Sequence, residues 1–421
     1  MQYFEVAGGN RLKGAIPISG AKNAALPIMA ASILVDGETI LHNVPDLADV
    51  RQMQALLARL GVKSSRDEDG TMRLRVEDEM NCHAEYEIVS KMRASVCVMG
   101  PLLAKRRRSQ VSMPGGCAIG DRPIDLHVRG LTAFGADTDL VNGDVLLKAK
   151  NLSGCDIFLG GPFGSSVTAT CNILMAATLA KGNTVIESAA CEPEVVDLAN
   201  FLNAAGARVT GQGTPRITVE GVESLHGCEH TVIPDRIEAG TFMIAAAITN
   251  GDLELRGGRI DHMRAVVDRL RKVGVIIEQG EKGIAVASSR RLEAVEITTQ
   301  PYPGFPTDLQ AQAMALLSLA DGNSVITEKI FPDRYLHVGE LSRMGAKLRK
   351  EGPTVIVIGT KKLIGAPVMA SDLRASAALI LAGLIAKGTT RVQRTYHIDR
   401  GYERIEEKLA AVGATIRRID E

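Results

Sequence analysis

No tryptophan occurs among the 421 residues, and aromatic residues together make up only 3%. A core built without large rings must be aliphatic, and stacking platforms for nucleic-acid bases are scarce. Net charge is missing too. Lys+Arg and Asp+Glu each number 49, so no overall field draws the chain to nucleic acid or an anionic membrane, and neither partner is expected. The seven cysteines form no C-x-x-C pair and no zinc spacing, which excludes a disulfide scaffold or zinc module. Six of them read as small core residues. The longest mainly apolar run, Ala375 to Ala386, is shorter than the roughly 18 residues of a membrane span. Met1-Gln-Tyr-Phe-Glu-Val-Ala opens without a basic or apolar leader, so a cytoplasmic protein without a signal peptide is expected. Apolar residues make up 45%, which is enough for folded domains and excludes a disordered chain.

What is present is repetition. Ala-rich segments end in a glycine turn, a β-branched run follows, then an amphipathic helix, a second glycine and a strand. Examples are Ala176-Ala-Thr-Leu-Ala-Lys-Gly-Asn-Thr-Val-Ile and Ala315-Leu-Leu-Ser-Leu-Ala-Asp-Gly-Asn-Ser-Val-Ile. The paired glycines are Gly37 and Gly61, Gly182 and Gly206, Gly251 and Gly274, Gly322 and Gly345, and Gly388 and Gly413. A degraded sixth copy lies between Arg93 and Asp139, with Gly135 as its second glycine. The first glycine reads as a helix C′ residue, suited to a left-handed backbone. In the amphipathic helix Val196, Ala199 and Leu202 share one face, with Leu198 off phase. Because the Ala-rich helices are apolar on nearly every side, they belong inside. Six units then predict an α/β protein of two inside-out barrel domains, each with three repeats, buried helices and outer sheets.

Some segments are not required by packing. Ser19-Gly-Ala-Lys22-Asn23 stands where a helix starts, and a helix N-terminus with a lysine attracts anions; a solvent-edge lysine is the plainer alternative. Met113-Pro-Gly-Gly-Cys117-Ala-Ile-Gly-Asp-Arg122-Pro is a loop around one cysteine, whose thiol a nearby arginine would acidify. Arg93, Arg122, Arg334, Arg374 and Arg400 each sit beside small residues or an aspartate. Arginine binds carboxylate and phosphate bidentately, and exposed Asp–Arg pairs are the alternative reading. Asp308 begins an apolar helix and reads first as a cap, second as a general base. Lys105-Arg-Arg-Arg108 reads as a solvated face. His127 and His397 stand apart from any metal spacing and read as structural or hydrogen-bonding.

These motifs resemble the enolpyruvyl transferase family over essentially the whole chain, from Gly14-Ala-Ile-Pro-Ile-Ser-Gly-Ala-Lys-Asn through Leu341-Ser-Arg-Met-Gly-Ala and Asp372-Leu-Arg-Ala-Ser to His397-Ile-Asp-Arg-Gly-Tyr-Glu-Arg-Ile. The resemblance implies residues 22–231 as one domain and 1–21 with 232–421 as the other, with ligands held between them. It implies transfer of the enolpyruvyl group of phosphoenolpyruvate to the 3′-hydroxyl of UDP-N-acetylglucosamine, with release of phosphate, as the first committed step of peptidoglycan precursor synthesis. Cys117 is then similar to an acid that also holds phosphoenolpyruvate covalently, and Asp308 to the base. Lys22, Arg93, Arg122 and Arg400 resemble the cage for phosphoenolpyruvate, and Asn23 a sugar contact. Pro123, Ile124, Asp125 and Leu126 resemble the stretch that holds the uridine, and Ser166 and Val167 the nucleotide-phosphate segment, with Phe331 near the sugar; Arg334 and Arg374 are similar to further positions lining the cleft. No metal or cofactor is implied.

One departure stands out: Gly164 and Thr168 occupy positions where many members carry lysine and glycine. Two rival readings remain. A shikimate-phosphate acceptor would share the fold, although Cys117 argues against it. A non-catalytic binder of nucleotide sugars would retain the pocket without the reaction.

Overall fold

The second glycine of every repeat ends a helix. Gly61, Gly135, Gly206, Gly274, Gly345 and Gly413 all have positive φ, between 80° and 109°. The residue after it bonds back to the helix, as in Ala207 N to Leu202 O and Ala346 N to Leu341 O, 2.9 and 3.1 Å. This is the Schellman closure that a left-handed residue permits. The first glycine behaves differently from the C′ expectation. The helices Val167–Ala177, Gln310–Leu317 and Leu373–Gly383 stop five residues before Gly182, Gly322 and Gly388. Looser turns intervene, such as Ala180 N to Ala177 O and Ala320 N to Leu317 O, and the glycine reverses the chain into the strand. In two copies another residue takes the left-handed turn, Asn250 (φ 50°) beside Gly251 and Arg107 (φ 57°) in the degraded repeat.

The computed structural model describes residues 2–113, 124–162, 164–288 and 291–420. Among them are six four-stranded sheets with one shared pattern. Strand one runs parallel to strand two, strand two antiparallel to three, and three antiparallel to four. Glu296–Thr298, Asn323–Thr327, Thr354–Ile358 and Lys347–Glu351 show it, as do Asp156–Phe158, Asn183–Glu187, Arg216–Glu220 and Arg208–Thr210. In strands such as Asn183–Glu187 and Arg216–Glu220 alternate residues are buried and face inward.

The chain divides into two units, one within residues 20–233 and the other of residues up to Ser19 and from Pro234 onward. Each has three of the sheets and its own aliphatic core. In the first, the helices Lys22–Ala31, Met99–Arg106 and Val167–Ala177 are interior, with nearly every residue buried. In the second, Arg236–Ile248, Gln310–Leu317 and Leu373–Gly383 pack on one another and are buried on all sides. Each unit is therefore an inside-out α/β barrel of three repeats, the fold class the repeats predict.

Three sequence readings need correcting. In the helix Pro193–Ala204 it is Leu198 that is buried and Val196 that lies partly out, since Val195, Leu198, Ala199 and Leu202 form the inward face. Of the six other cysteines, only Cys97 and Cys171 are core residues, while Cys82, Cys155, Cys191 and Cys228 are half-buried. The basic run is not a free solvated face either. Lys105 pairs with Asp36 at 2.5 Å, Arg106 donates to Asn81 O at 2.6 Å, and Arg107 forms the left-handed end of the helix.

Candidate active site

Cys117, Arg122 and Pro123 lie outside the described residues. The remaining candidates fall into two groups, one in each unit.

In the unit of residues 20–233, Lys22 opens its helix with Nζ 3.1 Å from Asp49 Oδ2 and is 9% exposed. Asn23 follows it, half-buried. Arg93 begins the short helix Arg93–Val98, which packs against the helix of Lys22. Ile124, buried, precedes the helix Asp125–Ala133, on which Asp125 is exposed and Leu126 half-buried. Ser166 caps the helix Val167–Ala177.

One buried histidine ties these segments together. Asn172 donates from Nδ2 to Val96 O at 2.9 Å and accepts from Gly100 N at 2.8 Å, which fixes its amide. Its other amide hydrogen points to His127 Nδ1, 2.8 Å away. Nδ1 must then be the acceptor, so Nε2 carries the proton and donates to Thr168 Oγ1 at 3.2 Å. Burial first, and the charge of Arg93 second, push the His127 pKa down to about 3, so the ring stays neutral. Arg93, the segment 124–127 and the segment 166–168 thus converge. Gly164 has φ +96°, a backbone in which a lysine side chain is strained, so its departure is matched by the local conformation.

In the other unit, Asp308 lies in the short turn Thr307–Leu309 ahead of the helix Gln310–Leu317. It caps neither element. Its Oδ1 accepts from Arg334 Nη1 at 2.8 Å and its Oδ2 from Arg374 Nη2 at 2.9 Å. The arginine side chains are 8% and 3% exposed, and that of Asp308 is 26% exposed. These are no surface ion pairs. Burial pushes the Asp308 carboxyl up, but Arg374 and then Arg334 overcome that and hold it well below the usual carboxylate range. Arg374 is placed by Asp372, which caps its helix through the backbone of Arg374 and Ala375, and its guanidinium lies over the Tyr402 ring at 5.4 Å. Phe331 lies 5.9 Å from the Arg334 guanidinium. Arg400, half-buried, ends the short helix Thr395–Arg400, two residues before Tyr402. His397 is half-buried against Tyr396.

Sequence reasoning passed over Asn172, Thr241, Thr307, Gln312, Glu328 and Tyr402. Tyr402 Oη shares a hydrogen bond with Thr241 Oγ1 at 2.8 Å and accepts from Gln312 Nε2 at 3.1 Å. A glutamine and an asparagine inside Ala-rich helices were the visible signal, since buried amides require partners.

A profile of the family described as EPSP synthase (3-phosphoshikimate 1-carboxyvinyltransferase) matches residues 6–409. The chain belongs to this enolpyruvyl transferase family. Its relatives include proteins named UDP-N-acetylglucosamine 1-carboxyvinyltransferase from Methylacidiphilum infernorum (isolate V4), 52% identical over 100% of this chain and 99% of the relative, and from Magnetococcus marinus, 53% identical over 100% of both. Among solved structures it is similar to the enolpyruvyl transferase NikO from Streptomyces tendae, with TM-score 0.90 at 25% identity over 99% of this chain and 98% of that one. It shares its fold with EPSP synthase from Acinetobacter baumannii, TM-score 0.77 at 20% identity over the whole of both chains.

Proposed function

We propose that the protein transfers the enolpyruvyl group of phosphoenolpyruvate to the 3′-hydroxyl of UDP-N-acetylglucosamine and releases phosphate, the step that commits the sugar to peptidoglycan precursors. The observation that carries this reading is Asp308, a carboxylate gripped by two buried arginines yet still partly open to solvent, in a chain of this family.

The reaction is an addition followed by an elimination. The hydroxyl oxygen bonds to C2 of phosphoenolpyruvate while C3 takes a proton, which gives a tetrahedral adduct bearing phosphate. Loss of phosphate from C2 and of a proton from C3 restores the double bond. Asp308 is too weak a base to ionise a free alcohol. As the C–O bond forms, however, the attacking oxygen becomes positively charged and its proton strongly acidic. A carboxylate already ionised and aimed by Arg334 and Arg374 then accepts that proton without reorganising. Cys117 supplies the C3 proton and can hold phosphoenolpyruvate covalently. Lys22, Arg93, Arg122 and Arg400 neutralise its phosphate and carboxylate. Asn23 contacts the sugar; Pro123, Ile124, Asp125, Leu126, Ser166 and Val167 hold the nucleotide; Phe331 lies near the sugar. The reaction is assigned to the cytoplasm, with residues 22–231 as one domain and 1–21 with 232–421 as the other, bounds that the division of the chain after Ser19 and Ile233 supports.

Phosphate release is measured with phosphoenolpyruvate plus UDP-N-acetylglucosamine and, in parallel, with shikimate-3-phosphate as acceptor. Release with the nucleotide sugar alone is expected. Alkylation of Cys117 by the epoxide fosfomycin should abolish it, and a Cys117→Asp form should resist. A folded protein silent with both acceptors would instead be a nucleotide-sugar binder, the rival reading that the departure at Gly164 leaves standing.

A further inference from the structure

Glu328 follows the strand Asn323–Thr327 and is fully buried. Its Oε1 accepts from Thr299 Oγ1 at 2.6 Å and from the backbone N–H groups of Ile330 and Phe331 at 2.8 and 3.0 Å. Its Oε2 accepts from Thr307 Oγ1 at 2.9 Å. That hydroxyl has one hydrogen, given to Glu328, so toward Arg334 it can only accept. Arg334 Nη1 lies 3.0 Å from Thr307 Oγ1 and 2.8 Å from Asp308 Oδ1. The two hydrogens of that one nitrogen are therefore divided between the threonine and the aspartate.

We propose that Glu328 and Thr307 are positioning residues for the transfer step: the buried carboxylate fixes the direction of the Thr307 hydroxyl, which orients the Arg334 guanidinium and through it Asp308. A buried acid is expensive unless every oxygen is satisfied, and a neutral side chain could have closed the same loop. The carboxylate here does two things that an amide cannot do together. Three bonds at one oxygen fold the loop that carries Phe331 and Arg334, and the fourth sets the polarity of Thr307. The proposal rests on Asp308 facing the acceptor hydroxyl.

Steady-state kinetics across pH, with melting temperatures, test it in the full chain. Thr307→Val removes the acceptor for Arg334 and is expected to lower kcat by about tenfold or more, with smaller changes in KM. The acid limb of the kcat profile should move to higher pH, because a guanidinium released from its threonine shields Asp308 less. Thr307→Ser keeps the hydroxyl and should restore most of the rate. Glu328→Gln keeps an acceptor at the loop but turns a donor toward Thr307, and should behave as Thr307→Val does. A parental rate and acid limb in Thr307→Val overturns the proposal, as does an equal loss in Thr307→Ser. Asp308→Asn serves as the reference. If it retains the parental rate, both the proposal and the reading of Asp308 fail; if it is inactive while Thr307→Val is parental, only the relay fails.

Discussion

Held neutral between Asn172 and Thr168, His127 makes the stability of its unit depend on pH in a known direction. An unfolded histidine titrates at 6.5, and the folded one at about 3. Between those values the unfolded chain binds a proton that the native chain refuses. The stabilisation is complete above 6.5 and is lost as pH falls toward 3. Moving from pH 7.5 to pH 5 should remove about 2 kcal/mol through this group. Denaturant unfolding at the two pH values measures it, and a His127→Gln variant should lose that part of the difference. From sequence alone His127 reads as structural or hydrogen-bonding, and its bonded place agrees. What no local pattern could give is the pairing with Asn172, 45 residues on. Asp308 is the sharper case. By position it reads as a helix cap, yet its carboxylate turns to arginines 26 and 66 residues away. A cap is a local property and can be seen in sequence; ion pairing within one repeat and on to the next cannot.

Elements repeat more faithfully than residues. In five of the six repeats, the residue that follows the third strand donates its N–H to the carbonyl of the turn after the interior helix. The pairs are Gly8 to Gly388, Ala149 to Arg107, Gly221 to Gly182, Ser288 to Gly251 and Gly359 to Gly322. At Gly8, Gly221 and Gly359 a Cβ would collide with the backbone oxygen of Ala386, Ala180 and Ala320. The glycine is there because two backbones touch. This third glycine was hidden in the sequence, since it ends a strand and the backbone it meets is a turn far off along the chain. Gly345 is a contrast, with φ +91° and open space where its Cβ would go. Gly359→Ala should cost about 3 kcal/mol or more through displaced backbone. Gly345→Ala should cost about 1–2 kcal/mol from left-handed strain alone. Melting temperatures of the two variants should rank accordingly, and equal losses would mean that the strand end has room to move.

The repeat count, the interior helices and the outer sheets could all be read from glycine spacing and apolar pattern, because those properties recur every few residues. The allocation of strands could not. Strands are borrowed from far along the chain in both units: Leu225–Thr231 beside Val35–His42 in one, and in the other Lys13–Pro17 beside Asp252–Arg256 and Gln2–Ala7 between Thr389–Gln393 and Thr415–Asp420. Residues 20–233 nevertheless form one continuous stretch with three complete sheets and a separate core. Expressed alone, that stretch should fold and unfold cooperatively in denaturant, as a domain with its own core does. A fragment that stays expanded and binds hydrophobic dyes would show that its core needs the remainder of the chain.

The borrowed strands also set a schedule for the ribosome. Gln2–Ala7 is made long before its partners, Thr389–Gln393 and Thr415–Asp420. At about 5–20 residues per second it waits roughly 20–80 s while an entire unit is synthesised and can close. An unpaired strand is adhesive toward other nascent chains, and this one carries the alternating apolar residues Phe4 and Val6. Slow translation after residue 233 would lengthen that exposure, so the yield of native protein should depend on how quickly the rest of the message is read.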